Sequence, residues 1–197
     1  MEIGAAILTG GRGRRMGELD KGLLDVGGRA IAAREAEALR AAGAGEVLLV
    51  GGDRARYAPL GLTHVDDQTP GAGPVAGLAT ALRASRATRA VLVVGCDLPL
   101  VEPALLAALA AALTGDIDAV VPRVDGRAQP LCAAYAPRVA AIAEARLAAA
   151  DPRLVALVES LRVRWLDEPA LRAVDPTLRS FVNVNTPDDL RRARSLL

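Results

Sequence analysis

The 197-residue chain has almost no lysine: of its 24 basic residues, 23 are arginine and the one that remains is Lys21. It has a single histidine, His64, so zinc centres of the His/Cys type and triads that draw on several histidines have little to build on. Its two cysteines, Cys96 and Cys132, form no CxxC pair and no disulfide framework, which fits a reducing compartment and makes the cytoplasm the expected location. Aromatic residues are 2% of the chain, too few for the stacking platforms that hold single-stranded nucleic acid. A net charge of +1 lacks the strongly basic balance of a nucleic-acid or anionic-membrane binder. No apolar run reaches the ~18 residues of a membrane helix, and Met1-Glu2-Ile3 lacks the basic start of a secretory signal. Neither nucleic acid nor a membrane is therefore an expected partner.

What is plentiful is alanine, with 41 residues, within a hydrophobic content of 52%. That is enough for a sizeable core, and the length suits one α/β domain over residues 1–197. Arginine-for-lysine and alanine-heavy usage are first of all genome-composition effects, so drift accounts for the rarity of lysine. A chain that avoids lysine yet keeps one still singles out position 21.

The elements alternate. Apolar runs at 3–8, 46–50, 63–65, 90–94 and 119–122 read as strands. Between them, 29–42, 74–85 and 103–113 read as helices, the second and third with proline in the first turn. Strands this continuously apolar argue for a parallel sheet covered on both faces. Such sheets place ligands beyond the carboxyl ends of their strands, which is where the glycine clusters, Lys21, Asp67 and Asp97 fall. After Pro122 the rhythm breaks. Asp125-Gly126 signals a hairpin with 129–135 as its returning strand, 137–150 reads as a helix, and Asp151-Pro152 as a capped start of another. Residues 162–166 fit an edge strand. Residues 181–185 fit a strand that runs into Thr186-Pro187-Asp188-Asp189, a helix start with a capping threonine, proline and two acids in the first turn.

The segment from Leu8 to Lys21 (LTGGRGRRMGELDK) is the richest in chemistry. Glycines after a strand let backbone amides approach phosphate oxygens, and three arginines and a lysine add charge for a polyphosphate. The dinucleotide fingerprint is absent, because Gly11-x-Gly13 runs on to Met16; a P-loop is absent, because Lys21 precedes Gly22 instead of following a glycine at the right offset. The same composition also suits a solvated basic loop. Asp97, after the clearest strand, can hold Mg²⁺ between protein and phosphates, or cap the following helix. Asp66-Asp67 lies in a similar position, with a solvated turn as its plainer reading. Asn183 and Asn185, two apart on an apparent strand, would share a face and suit a base, a pterin or a phosphate. Residues 71–77 form a second glycine-rich turn entering a helix whose N-terminus favours anions. Cys96, His64, Tyr135, Trp165 and Phe181 read as structural.

Together these segments resemble the molybdenum cofactor guanylyltransferases, within the nucleotide-diphospho-sugar transferase-like superfamily. The resemblance rests on LTGG-x₃-RMG-x₂-DK at 8–21, GPVAG at 73–77, CDLP at 96–99 and FVNVNTPDDL at 181–190, with Gly126-Arg127, Pro130-Leu131 and Tyr135 resembling the family's insertion. The motifs span the whole chain. The first is shared by many nucleotidyltransferases; the Asn-Val-Asn-Thr-Pro ending narrows the choice to guanylyl transfer. The resemblance implies an α/β, three-layer, Rossmann-like nucleotidyltransferase fold with a mostly parallel central sheet. It implies GTP and molybdenum-molybdopterin as substrates, Mg²⁺ as cofactor, and transient contact with cofactor-insertion proteins and molybdoenzymes. Residue by residue, it assigns Leu8, Thr9 and Gly10 to GTP, Lys21 and Asp67 to the nucleotide, and Asp97 to both nucleotide and Mg²⁺. Gly11, Arg15 and Gly17, with Asn183 and Asn185, fall toward the pterin substrate or the reacting phosphate; Arg15, Lys21 and Asp97 form the expected catalytic set. Two positions depart from the family pattern: Thr9 stands where alanine is usual, and Gly51 where an asparagine contacts the nucleotide. Cytidylyl transfer to the same cofactor, transfer to a sugar phosphate, and a non-catalytic nucleotide-binding cofactor chaperone are the alternatives. The lack of a second lysine counts against the sugar-phosphate option.

Overall fold

The computed structural model describes residues 1–9 and 20–197. Eight strands make one sheet: β1 (Ile3–Leu8), β2 (Val47–Val50), β3 (Thr63–Val65), β4 (Ala90–Gly95), β5 (Ala119–Val124), β6 (Arg127–Ala128), β7 (Cys132–Tyr135) and β8 (Val163–Asp167). Their order is β3-β2-β1-β4-β7-β5, with β8 on the outer edge of β5. The inner edge of β5 is shared: Ala119 and Val120 pair with β7, Arg123 and Val124 with β6. Six strands run one way, and β6 and β7 oppose them. The mostly parallel sheet expected from the sequence is therefore present.

Eight helices flank the sheet: α1 (Ile31–Ala41), α2 (Arg54–Tyr57), α3 (Pro74–Ala84), α4 (Pro103–Ala112), α5 (Val139–Ala148), α6 (Leu154–Glu159), α7 (Glu168–Arg172) and α8 (Pro187–Ser195). α1 packs on α4, and α3 on α5 and α6, giving helix layers on the sheet. Burial explains why the central strands are apolar at every position: Ala6, Ile7 and all of Ala90–Val94 are sealed from solvent on both faces. α3 packs on β1 beside Leu8, and a Cβ on Gly77 would meet Leu8 Cδ1 at 3.4 Å, an ordinary contact. A small second cluster of Val26, Ile31, Val184 and Ala193 joins the turn before α1 to the segment before α8.

Three expectations need correction. Residues 181–185 are not a strand. A 3₁₀ turn (Arg179–Phe181) leads into an extended segment that pairs with no strand edge. Its alternating Val182 and Val184 pack into the small second cluster, and Val184 N–H donates to the Asp97 carbonyl (2.9 Å). The return strand expected over 129–135 is a strand only at β7 (Cys132–Tyr135); a turn over Gln129–Cys132 (Cys132 N–H to Gln129 C=O, 3.0 Å) interrupts the chain between it and β6, which precedes the expected range. Asp151 caps no helix: α6 starts at Leu154, and the Asp151 carboxylate instead pairs with Arg146 (2.6 Å) and Arg153 (2.7 Å). Asp125-Gly126 does form the hairpin turn, with φ of 49° and 71°. Thr186 caps α8 in a reciprocal box with Asp189.

Candidate functional site

The chain runs from β1 outward to β2 and β3, then returns to place β4 on the other side of β1. That reversal makes a topological switch point beyond the ends of β1 and β4, where open α/β sheets open a crevice for ligands. Leu8 and Thr9 end β1 there. Both are buried, and the Thr9 hydroxyl donates to the Val50 carbonyl (3.0 Å), tying the end of β1 to that of β2. Gly51 and Gly52 follow β2 in left-handed conformations. A Cβ on Gly52 would lie 2.7 Å from Thr9 Oγ1 and 2.9 Å from Tyr57 Cε2, so this turn requires glycine twice over. The Gly51 carbonyl also accepts from His64 Nε2 at 2.8 Å.

Lys21 enters on a 3₁₀ turn (Lys21–Leu23). The turn is seated by Tyr57, whose hydroxyl donates to the Asp20 carboxylate and whose ring lies under Gly22. Lys21 Nζ donates to Asn185 Oδ1 at 2.6 Å and lies 3.7 Å from Asp97 Oδ2. One ammonium thus joins three parts of the chain that are distant in sequence. The Lys21 and Asp97 side chains keep 18% and 28% of their surface exposed, enough to meet a ligand. Burial pushes the Asp97 carboxyl up from the usual carboxylate range, and Lys21 offsets part of that rise. Gly95 makes room for this carboxylate: a Cβ there would be 3.1 Å from Asp97 Oδ1.

Glu35, fully buried on α1, accepts the Leu98 N–H through Oε1 at 3.0 Å. Its Oε2 has no partner among the described residues. Burial pushes its carboxyl well up, the Leu98 hydrogen bond opposes this, and Asp97 adds to it. The sequence reading missed Glu35, yet a signal was present: 31, 35 and 39 share a helix face, and Ile31 and Leu39 are core. Cys96 and Cys132 are both buried free thiols; burial holds Cys96 well above the ordinary range and pushes Cys132 up to about 12.

Of the residues singled out in the sequence, Leu8, Thr9, Lys21, Asp97 and Asn185 gather at the switch point. Asn183 does not join Lys21. It is exposed, donates to the Phe181 carbonyl (3.3 Å), and lines a neighbouring open cleft of about 310 Å³ with Arg172, Thr177 and Arg192. The two asparagines therefore meet different partners, Asn185 the Lys21 ammonium and Asn183 the backbone of its own segment. Asp67 turns toward its own backbone, accepting Thr69 N–H at 2.9 Å. Gly10, Gly11, Arg15 and Gly17 lie outside the described residues. Among the described residues no cluster of three or more His, Cys, Asp or Glu could hold a metal, and no helix is long and apolar enough to cross a membrane.

A family model described as the MobA-like NTP transferase domain matches residues 5–166. A probable molybdenum cofactor guanylyltransferase of Pelotomaculum thermopropionicum is 37% identical, covering 98% of this chain and 93% of that protein. A molybdenum cofactor guanylyltransferase of Cereibacter sphaeroides is 35% identical over 100% of this chain and 98% of that protein. Among solved structures, a molybdopterin-guanine dinucleotide biosynthesis protein A from Archaeoglobus fulgidus superposes with a TM-score of 0.80 at 29% identity, covering 100% and 98% of the two chains.

Proposed function

Because the chain belongs to the family of MobA-like NTP transferase domains, we infer that it is a molybdenum cofactor guanylyltransferase. It transfers GMP from GTP to molybdenum-molybdopterin and releases pyrophosphate. The observation that carries this reading is the Lys21–Asn185–Asp97 cluster at the switch point between β1 and β4.

In the reaction, a terminal phosphate oxygen of the pterin substrate forms a bond to the α-phosphorus of GTP. The bond from that phosphorus to the oxygen bridging to the β-phosphate breaks, and pyrophosphate departs with the electron pair. The attacking phosphate is already an anion at neutral pH, so no general base is needed. The protein's work is positioning and neutralising charge. Lys21 is suited to the triphosphate: its ammonium is a compact charge on a seated turn. By the family resemblance, Leu8, Thr9 and Gly10 are assigned in this reading to GTP, and Asp67 has a second oxygen for the nucleotide. By the family resemblance, Gly11, Arg15, Asn183 and Asn185 are assigned in this reading to the pterin or the reacting phosphate. Asn185 accepts from the Lys21 ammonium, so in this reading it ties the nucleotide-binding lysine to the segment assigned to the pterin side.

A divalent cation fits Asp97. A single partly exposed carboxylate, 3.7 Å from the Lys21 ammonium, suits an ion that takes its remaining ligands from phosphates and water, as Mg²⁺ does. When bound, such a cation neutralises charge on the triphosphate and the departing pyrophosphate. We take Mg²⁺ as that ion and the cytoplasm as the location, since the donor substrate is a nucleoside triphosphate. Residues 1–197 are read as one domain because a single sheet runs from Ile3 to Asp167 and the site draws on residues up to Asn185. Transient contact with cofactor-insertion proteins and molybdoenzymes would deliver the product.

The test is turnover of GTP, CTP and ATP with Mg²⁺ and molybdenum-molybdopterin, read as pyrophosphate release and dinucleotide formation. GTP is expected to be preferred. A preference for CTP would overturn guanylyl specificity, and nucleotide binding without pyrophosphate release would favour the carrier alternative.

A further inference from the structure

The turn that carries Asp97 has its backbone fixed from five directions. Gly95 N–H donates to the Leu131 carbonyl (2.8 Å) and Cys96 N–H to the Leu8 carbonyl (3.2 Å). The Asp97 carbonyl accepts Val184 N–H (2.9 Å). Leu98 N–H donates to Glu35 Oε1 (3.0 Å), and the Pro99 carbonyl accepts Arg34 Nε (3.1 Å). The third and fourth of these hold opposite ends of one peptide group, the carbonyl of Asp97 and the N–H of Leu98. The Asp97–Leu98 peptide plane is therefore gripped on one side by the segment that delivers Asn185 and on the other by α1.

Glu35 is a costly way to make that grip. Its side chain is withdrawn completely from water, and a buried carboxyl with one oxygen unpaired among the described residues detracts from stability. An apolar residue at 35 would pack against the core at lower cost, but would leave Leu98 N–H buried without an acceptor. The acceptor that Glu35 supplies does two things: it satisfies the buried Leu98 N–H, and it ties the Asp97 turn to α1.

We propose that Glu35 is a positioning residue for the transfer reaction, holding the Asp97–Leu98 peptide so that the Asp97 carboxylate is presented to the cation and the triphosphate. The proposal rests on the reading of Asp97 as the cation ligand. It assigns Glu35 no contact with substrate.

The experiment compares Glu35→Gln, which keeps an acceptor oxygen, with Glu35→Leu, which removes it, and Glu35→Asp, which keeps the charge but shortens the reach. Three quantities are measured on the full chain: hydrogen exchange of the Leu98 amide, Mn²⁺ affinity by electron paramagnetic resonance with a non-hydrolysable GTP analogue, and kcat. Glu35→Leu and Glu35→Asp are expected to speed Leu98 exchange and weaken Mn²⁺ binding by about tenfold, with Glu35→Gln close to the wild type. If Glu35→Leu does not fold, the Asp and Gln variants decide. Unchanged Leu98 exchange and Mn²⁺ affinity in Glu35→Asp would overturn the proposal, as would equal losses in Glu35→Gln and Glu35→Asp. Mn²⁺ binding that survives Asp97→Ala would instead overturn the cation assignment beneath it, and the two failures are distinguishable.

Discussion

Replacing Gly22 with alanine tests whether the Lys21 turn is seated as the structure describes. The added Cβ would lie 2.5 Å from Tyr57 Oη and 3.2 Å from both Cε1 and Cζ, against roughly 3.5–4.0 Å for a comfortable carbon contact. The ring has nowhere to retreat. Tyr57 is 2% exposed, its hydroxyl is tied to Asp20, and its opposite edge meets Gly52, where a Cβ would be only 2.9 Å away. A methyl forced into such packing costs about 1–3 kcal/mol, or a fall of roughly 2–12 °C in melting temperature for a chain of this size. Because the turn must give way, Lys21 moves and GTP binding weakens as well. Tyr57→Phe removes the atom closest to the new methyl and leaves only the longer ring contacts, at the expense of about 0.5–1.5 kcal/mol for the lost Asp20 hydrogen bond. In the Gly22→Ala background that change should therefore cost less than it does alone, by about 0.5 kcal/mol or more. Thermal unfolding by circular dichroism, with GTP binding by calorimetry, measures both. Unchanged stability in Gly22→Ala, or strict additivity in the double variant, would refute the seating argument.

Two further predictions follow from the same geometry. Lys21→Ala and Asp97→Ala should each abolish turnover while the circular dichroism spectrum and melting transition stay cooperative, and Lys21→Arg should restore little, because a broad guanidinium does not fit the Asn185–Asp97 gap as a compact ammonium does; full turnover in any of the three removes that argument. Asp118 binds β5 to β8, its carboxylate accepting Arg162 N–H (3.0 Å), Arg138 Nε (2.7 Å) and Arg162 Nε (3.4 Å). Burial opposes its charge, but these donors outweigh burial and hold the carboxyl below its usual range. Its stabilisation is therefore complete above the unfolded value of about 3.9 and is lost as pH falls through the lower folded value. Asp118→Asn should cost about 1.5–3 kcal/mol at neutral pH and progressively less in acid; urea unfolding across pH checks this, and a pH-independent gap contradicts it.

The parts of this fold legible in the sequence were those with one physical solution. A run such as Ala90–Val94, apolar at every position, has to be a strand covered on both sides, and Asp97 after it has to lie at the strand's carboxyl end. Lys21 stood out by composition and proved to share a cluster with Asp97 and Asn185. What stayed hidden depends on partners that sequence spacing does not specify. The alternation in Phe181–Asn185 is the same for a ladder strand as for an extended segment docked on a small apolar cluster, so the spacing does not tell that Asn185 meets Lys21 while Asn183 bonds its own backbone. Alanine fits either face of a helix, and it masked the periodicity that places Glu35 in the core. Tyr57 belongs to a four-residue helix, too short to leave a pattern.

The small cluster of Val26, Ile31, Val184 and Ala193 also orders events during synthesis. The chain emerges from its first residue onward, and β1 to β4 with α1 and α3 can associate while later residues are still being added. Lys21 is made early, but Asn185, which accepts from it, and Val184, which grips the Asp97 carbonyl, arrive more than 80 residues after Asp97 itself. A growing chain can thus hold most of the sheet before the Lys21–Asn185 and Val184–Asp97 contacts can form, and both wait on the segment just before α8.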